Sequence, residues 1–348
     1  MVIDRPDYYS AFHCLAGRCS HSCCEKWEVT IDGETARYYR SLPGTLGERL
    51  RGALKEDADG ELCFPLDGGR CPFWRADGLC EIHAELGEAA TSVTCREHPR
   101  FLEDYGPFRE VTLSASCPAA NALLLGSTKP LGFVREETGE PGEEGDPLLV
   151  GLVPLRRRML GLLARRDLPL RQRLRRYLLL AERAQDLLDQ ERVQALADLA
   201  EPAEELCPEV PDGPGLFPAL LVRMMTLEAL DPDWHAVLDA ACTAPPAAAA
   251  EELLERIGTY CSFRYLLKAV NDGDLLSRAQ LCVAAVLTVE RLAAAGLGLP
   301  EALRRWSCEI EHDDDNLDAL LDAFRTDPAL SPAAFYRELA GTAQVNTQ

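Results

Sequence analysis

Four thiols fall within eleven residues near the start of the chain, in the run Cys14-x4-Cys19-x3-Cys23-Cys24. Five more follow before residue 118: Cys63, Cys71, Cys80, Cys95 and Cys117. Deprotonated sulfur is a soft ligand that selects zinc, copper(I) or an iron–sulfur cluster. Cys71, Cys80, Cys95 and Cys117 each sit beside Gly or Pro (Cys71-Pro-Phe, Gly78-Leu-Cys80, Cys95-x3-Pro-Arg, Cys117-Pro), residues that let a backbone turn sharply around a metal. Eight thiols suffice for two four-thiolate centres, or for one cluster with structural cysteines left over. Spacing alone leaves the pairing open. His13, His21, His83 and His98 lie close to thiols in sequence and can replace single ligands. The competing readings are buried reduced thiols or disulfides. The later Cys207, Cys242, Cys261, Cys282 and Cys308 are scattered through apolar helical sequence and read as small hydrophobes.

Compartment and charge narrow this chemistry. The opening MVIDRPDYYSAFHC lacks a basic segment followed by an apolar one, and no apolar run reaches the ~18 residues of a membrane helix. A cytoplasmic protein without membrane partners is expected, in which disulfides are disfavoured. With 36 basic against 57 acidic residues the net charge is −21, which argues against general nucleic-acid or anionic-membrane binding. One stretch reverses that field. Arg156, Arg157, Arg158, Arg165, Arg166, Arg171, Arg173, Arg175 and Arg176 face a single acid, Asp167. They read first as helix faces that are solvated or paired within the chain, and second as a dock for an acidic partner or a cofactor carboxylate.

The elements that must position these groups differ along the chain. Turn formers (LPG, DGG, ADG, YGP) break up the first 125 residues, leaving short helices near Glu34–Ser41, Leu46–Leu54, Cys80–Glu88 and Pro118–Leu125. Such a region is expected to close little hydrophobic core unaided and to lean on a metal staple. The acidic run REETGEPGEEGDP reads as a solvated linker. From about Leu148, leucines recur at helical steps (Leu160, Leu163, Leu170, Leu174, Leu178), punctuated by Pro169, Pro202, Pro232 and Pro300. The expected fold is mainly α. A loop-rich cysteine domain spans 1–128, an acidic linker 129–147 and an all-α domain 148–348.

Quoted in order, DYYSAFHCLAGRCSHSCCEKWEVTIDGETARYY, CPFWRADGLCEIHAELGE, CREHPR and LSASCPAANALLL resemble the flagellin lysine-N-methylase family, which shares its cysteine pattern with CxxxCC-type zinc- or iron-chelating domains. The matching positions include Tyr9, Phe12, Trp27, Asp32, Tyr39, Phe73, Pro99, Arg100 and Pro118 besides the eight cysteines; Cys63 falls outside the pattern. A thinner likeness continues at YCSFRYLLKAV and at WSCEIEHDDDNLDALL. The resemblance implies methyl transfer from S-adenosylmethionine to lysine side chains of flagellin, by a protein holding a 4Fe-4S cluster or zinc on Cys14, Cys19, Cys23, Cys24, Cys71, Cys80, Cys95 and Cys117. No G-x-G-x-x-G follows a strand, so the common βαβ methyltransferase fold is not expected. The alternative is a metal-binding interaction or chaperone protein without methyl transfer.

Methylating an amine requires the lysine to lose its proton first. Within Glu309-Ile-Glu311-His312-Asp313-Asp314-Asp315, His312 and Glu311 are the candidate catalytic groups. The plainer reading is that Asp315 or a neighbour caps the helix that follows. Trp27, Tyr39 and Phe73 read as packing residues, with a sulfonium contact as the alternative.

Overall fold

The structure is a computed structural model that describes residues 1–26, 29–57, 60–203, 206–209, 213–244 and 250–340; Trp27 lies outside the described residues. In chain order the elements are β1 (Val2–Pro6), β2 (Val29–Thr30), α1 (Gly33–Ser41), α2 (Gly44–Ala53), β3 (Lys55–Glu56), β4 (Leu62–Phe64), α3 (Glu81–Leu86) and α4 (Val93–Glu97). Next come β5 (Arg100–Asp104), β6 (Phe108–Leu113), α5 (Pro118–Leu125), β7 (Phe133–Glu137), α6 (Leu149–Leu163), α7 (Leu170–Asp189) and α8 (Val193–Leu196). The remainder is helical: α9 (Leu216–Met224), α10 (Trp234–Thr243), α11 (Glu251–Tyr265), α12 (Leu276–Leu292), α13 (Leu299–Trp306), α14 (Asp314–Thr326) and α15 (Pro332–Ala340). The four short helices expected near the N-terminus are all present, and the protein is mainly α.

The chain divides into two compact units, and the division does not follow the expected boundaries. One unit comprises Tyr9–Phe101 and Leu113–Leu123; the other comprises Met1–Tyr8, Leu102–Thr112 and Leu124–Gln348. Strand pairing is the reason. β1 runs parallel to β6, with Val2 opposite Phe108, and antiparallel to β7, with Val2 opposite Glu137. The sheet order is β5-β6-β1-β7, so the expected linker 129–147 contributes a strand and the helical unit is not all-α. Asp4 on β1 and Arg135 on β7 seal that pairing with two hydrogen bonds of 2.8 and 2.6 Å.

The smaller unit contains all nine N-terminal cysteines and, contrary to expectation, does close a small apolar core. Tyr39 stacks on Phe64 at 5.9 Å between centroids, and Phe64 meets Phe73 at 4.8 Å. Val29, Ile31, Leu50 and Ile82 pack round these rings, and Cys71 is buried among them. Strands β2, β4 and β3 form a three-stranded antiparallel sheet at its edge.

In the helical unit α12 is the axis, packed by α7, α10, α11, α13 and α14. Leu276–Leu297 is long and apolar enough to cross a membrane, yet 61% of its most apolar window is buried inside the protein, as befits a core helix. The arginine-rich stretch is largely consumed by pairing. Arg156 is buried on Glu110, holds the Phe263 carbonyl at 3.0 Å and lies 4.7 Å from the Phe263 ring centroid. Arg166 and Arg173 converge on the buried Glu255 at 2.7 and 2.8 Å. Arg165 and Arg176 share Glu201, and Arg171 pairs with Glu290. The reading of arginines paired within the chain holds. Most of these side chains are committed to their own unit.

Leaving one member of a buried pair uncompensated costs about 3–5 kcal/mol, far more than replacing both with apolar groups. Arg156→Ala should therefore lower stability by about that amount in urea denaturation of the full chain, whereas the double variant Arg156→Met, Glu110→Leu should lose much less.

Candidate functional site

The eight candidate thiols all lie in the smaller unit, and two neighbourhoods emerge. Cys24, Cys71, Cys80 and Cys95 come from four separate segments and stand close enough to raise one another's proton affinity. Cys23 belongs beside them, bonded to Cys24. Cys117 feels Cys19 and Cys14, and Cys14 in turn acts on Cys23. Among the described residues, no three Cys, His, Asp or Glu side chains take up the close spacing of a metal site. The thiols are neighbours without being a ligand cage.

The backbone explains how four distant segments meet. The Cys71 N–H donates to the Cys24 carbonyl at 2.8 Å, and Trp74 bridges to Cys80. The Cys95 segment is fastened by caps. Ser92 accepts the Cys95 N–H at 3.2 Å, starting α4. Asp32 accepts the Thr35 N–H at 2.9 Å, starting α1, and with its second oxygen the Val93 N–H at 3.0 Å. Tyr39 donates its hydroxyl to the Ala90 carbonyl at 2.8 Å. Arg100 lies 5.5 Å from the Phe12 ring centroid and bonds the Tyr9 hydroxyl at 3.1 Å. Asp32, Tyr39, Phe73, Arg100, Tyr9 and Phe12 are thus braces for the loops that carry thiols. Sequence reading noted them by type without finding that role. The Ser92-x-x-Cys95 spacing, a cap signature, was the signal available.

Electrostatics follow from burial. Burial pushes Cys71 up to about 12 and Cys95 up to about 11, against hydrogen bonds that pull each down, and it raises Cys80 and Cys117 as well. Cys24 moves the other way, to about 7, because it accepts the bond from Cys23, with Ser22 helping against burial. Asp32 is pushed up by its surroundings but held at about 2 by the N–H groups of Thr35 and Val93. Of the candidate histidines, His13 and His83 are exposed, and burial lowers half-buried His98 to about 4. His21 shares a 3.0 Å bond with Ser20.

In the helical unit, a π turn, Ser307–Glu311, continues α13 and carries Glu311 inward. Its carboxylate is fully buried and accepts from Tyr265 at 2.9 Å, from Tyr260 at 3.1 Å and from Ser307, and it pairs with Arg264 at 3.2 Å. The two helical segments that carry the thinner likeness therefore meet at this carboxylate. His312 follows at the end of the turn, half-buried. The cap is Asp313, which accepts the Asn316 N–H at 2.9 Å. With four donors already upon it, Glu311 is built to tie α11 to the π turn. Of the two candidate catalytic groups, His312 is the one nearer solvent.

Comparison with known proteins returns three flagellar and methylase relatives. The chain is 29% identical over 131 residues to the flagellar biosynthetic protein FliU of Salmonella muenchen, covering 36% of this chain and 78% of that protein. It is 28% identical over 131 residues to the lysine-N-methylases of Salmonella typhimurium and Salmonella choleraesuis, again 36% of this chain but 33% of each relative. The match thus spans about a third of the length of the two methylases. These likenesses support the resemblance to the flagellin lysine-N-methylase family. No family model and no solved structure matches the chain.

Two outcomes follow from the geometry. Asp32→Ala should destabilise the thiol-bearing unit by about 1–2 kcal/mol through loss of the cap. Asp32 is held below its ordinary value of about 4, so the charge contributes fully above pH ~4 and fades as pH falls through its folded value. The gap between wild type and Asp32→Asn in urea midpoint should accordingly shrink on acidification. Glu311→Ala strands Arg264 in the core and should cost about 3–5 kcal/mol in the same assay, an effect on folding before any on catalysis.

Proposed function

We propose that this chain is a cytoplasmic protein-lysine N-methylase that acts on flagellin with S-adenosylmethionine as donor. The observation that carries the reading is the likeness to two proteins named lysine-N-methylase and one named for flagellar biosynthesis. The described cysteines are not joined in disulfides, which fits a reducing compartment.

We further propose a zinc ion or a 4Fe-4S cluster on the thiols, with Cys24, Cys71, Cys80 and Cys95 as the principal set and Cys14, Cys19, Cys23 and Cys117 beside them. The donor chemistry fits: soft sulfurs from separate segments are neighbours at and beside one small core, with Cys71 buried, Cys24 and Cys80 partly buried and Cys95 exposed. A bound cation would offset thiolate charge there and add a further tie between these segments.

Bound S-adenosylmethionine supplies an electrophilic methyl carbon. The target lysine attacks it only as the neutral amine, so a group of the protein must take the ammonium proton. In this reading an imidazole nitrogen of His312 takes it, while Glu311 holds the π turn that presents His312, acting as a positioning residue. The name of the FliU relative favours a second reading, a metal-binding protein of flagellar biosynthesis with no methyl transfer.

Incubating anaerobically purified protein with flagellin and S-adenosylmethionine should add methyl groups to flagellin lysines by mass spectrometry. No transfer under those conditions selects the second reading. His312→Ala should slow transfer by about 10²–10⁴-fold with metal content unchanged. Cys24→Ser should lose metal, and chelation of the wild type should open residues 9–101 to protease while the helical unit resists. Full protection of chelated protein refutes a structural metal.

A further inference from the structure

A hollow of about 410 Å³ opens in the thiol-bearing unit between residues 16–22 and 70–78. Its size lies in the range of small-molecule sites, ~300–1,000 Å³. Cys19 and Ser22 line one side; Arg70, Trp74, Arg75 and Asp77 line the other. We propose that this hollow binds the adenosyl methyl donor; the proposal rests on the methylase reading above and deepens it by assigning the donor site.

Four features point to that ligand. Trp74 lines the hollow, and its buried Nε1–H has no acceptor among the described residues. Purine ring nitrogens and a carboxylate are both suitable acceptors. Arg70 lies 4.4 Å from the Trp74 ring centroid, pairs through Nε with Glu25 at 3.2 Å and keeps its side chain 61% exposed, so its guanidinium can also stack on a nucleobase. Asp77 and Arg75, exposed and paired with each other at 2.7 Å, offer a carboxylate of the kind that accepts ribose hydroxyls and a cation for the carboxylate of the amino-acid arm.

The fourth feature is the floor. Gly17 and Gly78 press two loops together: a Cβ on Gly17 would stand 2.8 Å from the Asp77 carbonyl oxygen, and one on Gly78 would stand 3.1 Å from the Gly17 Cα. Gly78 also has φ +79°, which side-chain-bearing residues rarely adopt. Close backbone contact between these two loops thus lines part of the hollow. It adjoins the thiols, since Cys19 lines it and Trp74 bridges to Cys80.

The test is calorimetric titration of the full-length protein with S-adenosylhomocysteine, a readout independent of turnover. Wild type should bind saturably. Trp74→Phe, which keeps a ring and removes only the Nε1–H, should weaken binding about tenfold, as should Arg70→Ala and Asp77→Asn. The exposed Arg157→Ala should bind as wild type. Unchanged metal content and thermal melting establish that each variant is folded. If wild type binds but all three hollow variants bind within twofold of it, the site assignment is overturned and the methylase reading stands. If wild type binds no S-adenosylhomocysteine, the site assignment is overturned, and the flagellin transfer assay decides the methylase reading by itself.

Discussion

In a unit made mainly of loops, backbone N–H groups need partners that regular structure does not provide. Asp32 supplies two at once. One oxygen closes the first turn of α1, and the other reaches the Val93 N–H, so the segment bearing Cys95 is fastened to the helix that carries Tyr39. Tyr39 in turn stacks on Phe64, and Phe64 on Phe73, whose carbonyl takes the Glu81 N–H beside Cys80. The convergence of Cys71, Cys80 and Cys95 depends on this chain of short-range contacts, because no long element runs beneath all three.

The helical unit solves a different problem. Several of its charged residues are turned inward. Glu110, Glu255 and Glu311 are each buried and each answered by arginine. Desolvation makes such pairs weak sources of net stability, but mispairing leaves an uncompensated charge in the core. The arginines therefore fix which helix face meets which, as the meeting of Arg166 and Arg173 on Glu255 does for the α6–α7 turn, α7 and α11. The strong negative charge of the whole chain is compatible with this, since several of its arginines are paired in the interior.

The helices were legible because their signals are local. Leu160, Leu163, Leu170 and Leu174 report a buried stripe, and all four short N-terminal helices could be placed from turn formers and caps. The sheet was not legible. VIDRP buries the charged Asp4 and FVREE carries its charges on exposed positions, so neither shows an alternating apolar pattern, and their partners are set by pairing across most of the thiol region, which no local window contains. The thiols were recognisable by type, while the braces Arg100, Phe12 and Tyr9 were seen only as matching positions; their contact exists only once the chain has folded back. Tyr39 and Phe73 were legible as packing residues, but Phe64, which joins them, was not, because the three are far apart in sequence and show no period.

The pairing of Val2 with both Phe108 and Glu137 bears on the order in which the protein forms during synthesis. β1 leaves the ribosome before both of its neighbours and cannot find either until the thiol region has followed it out. The closure entropy of so long a loop grows only slowly with length, so the insert is tolerated. Assembly of the thiol region thus acts as a timer on the sheet, and through β6 and β7 on the helices that complete the other unit.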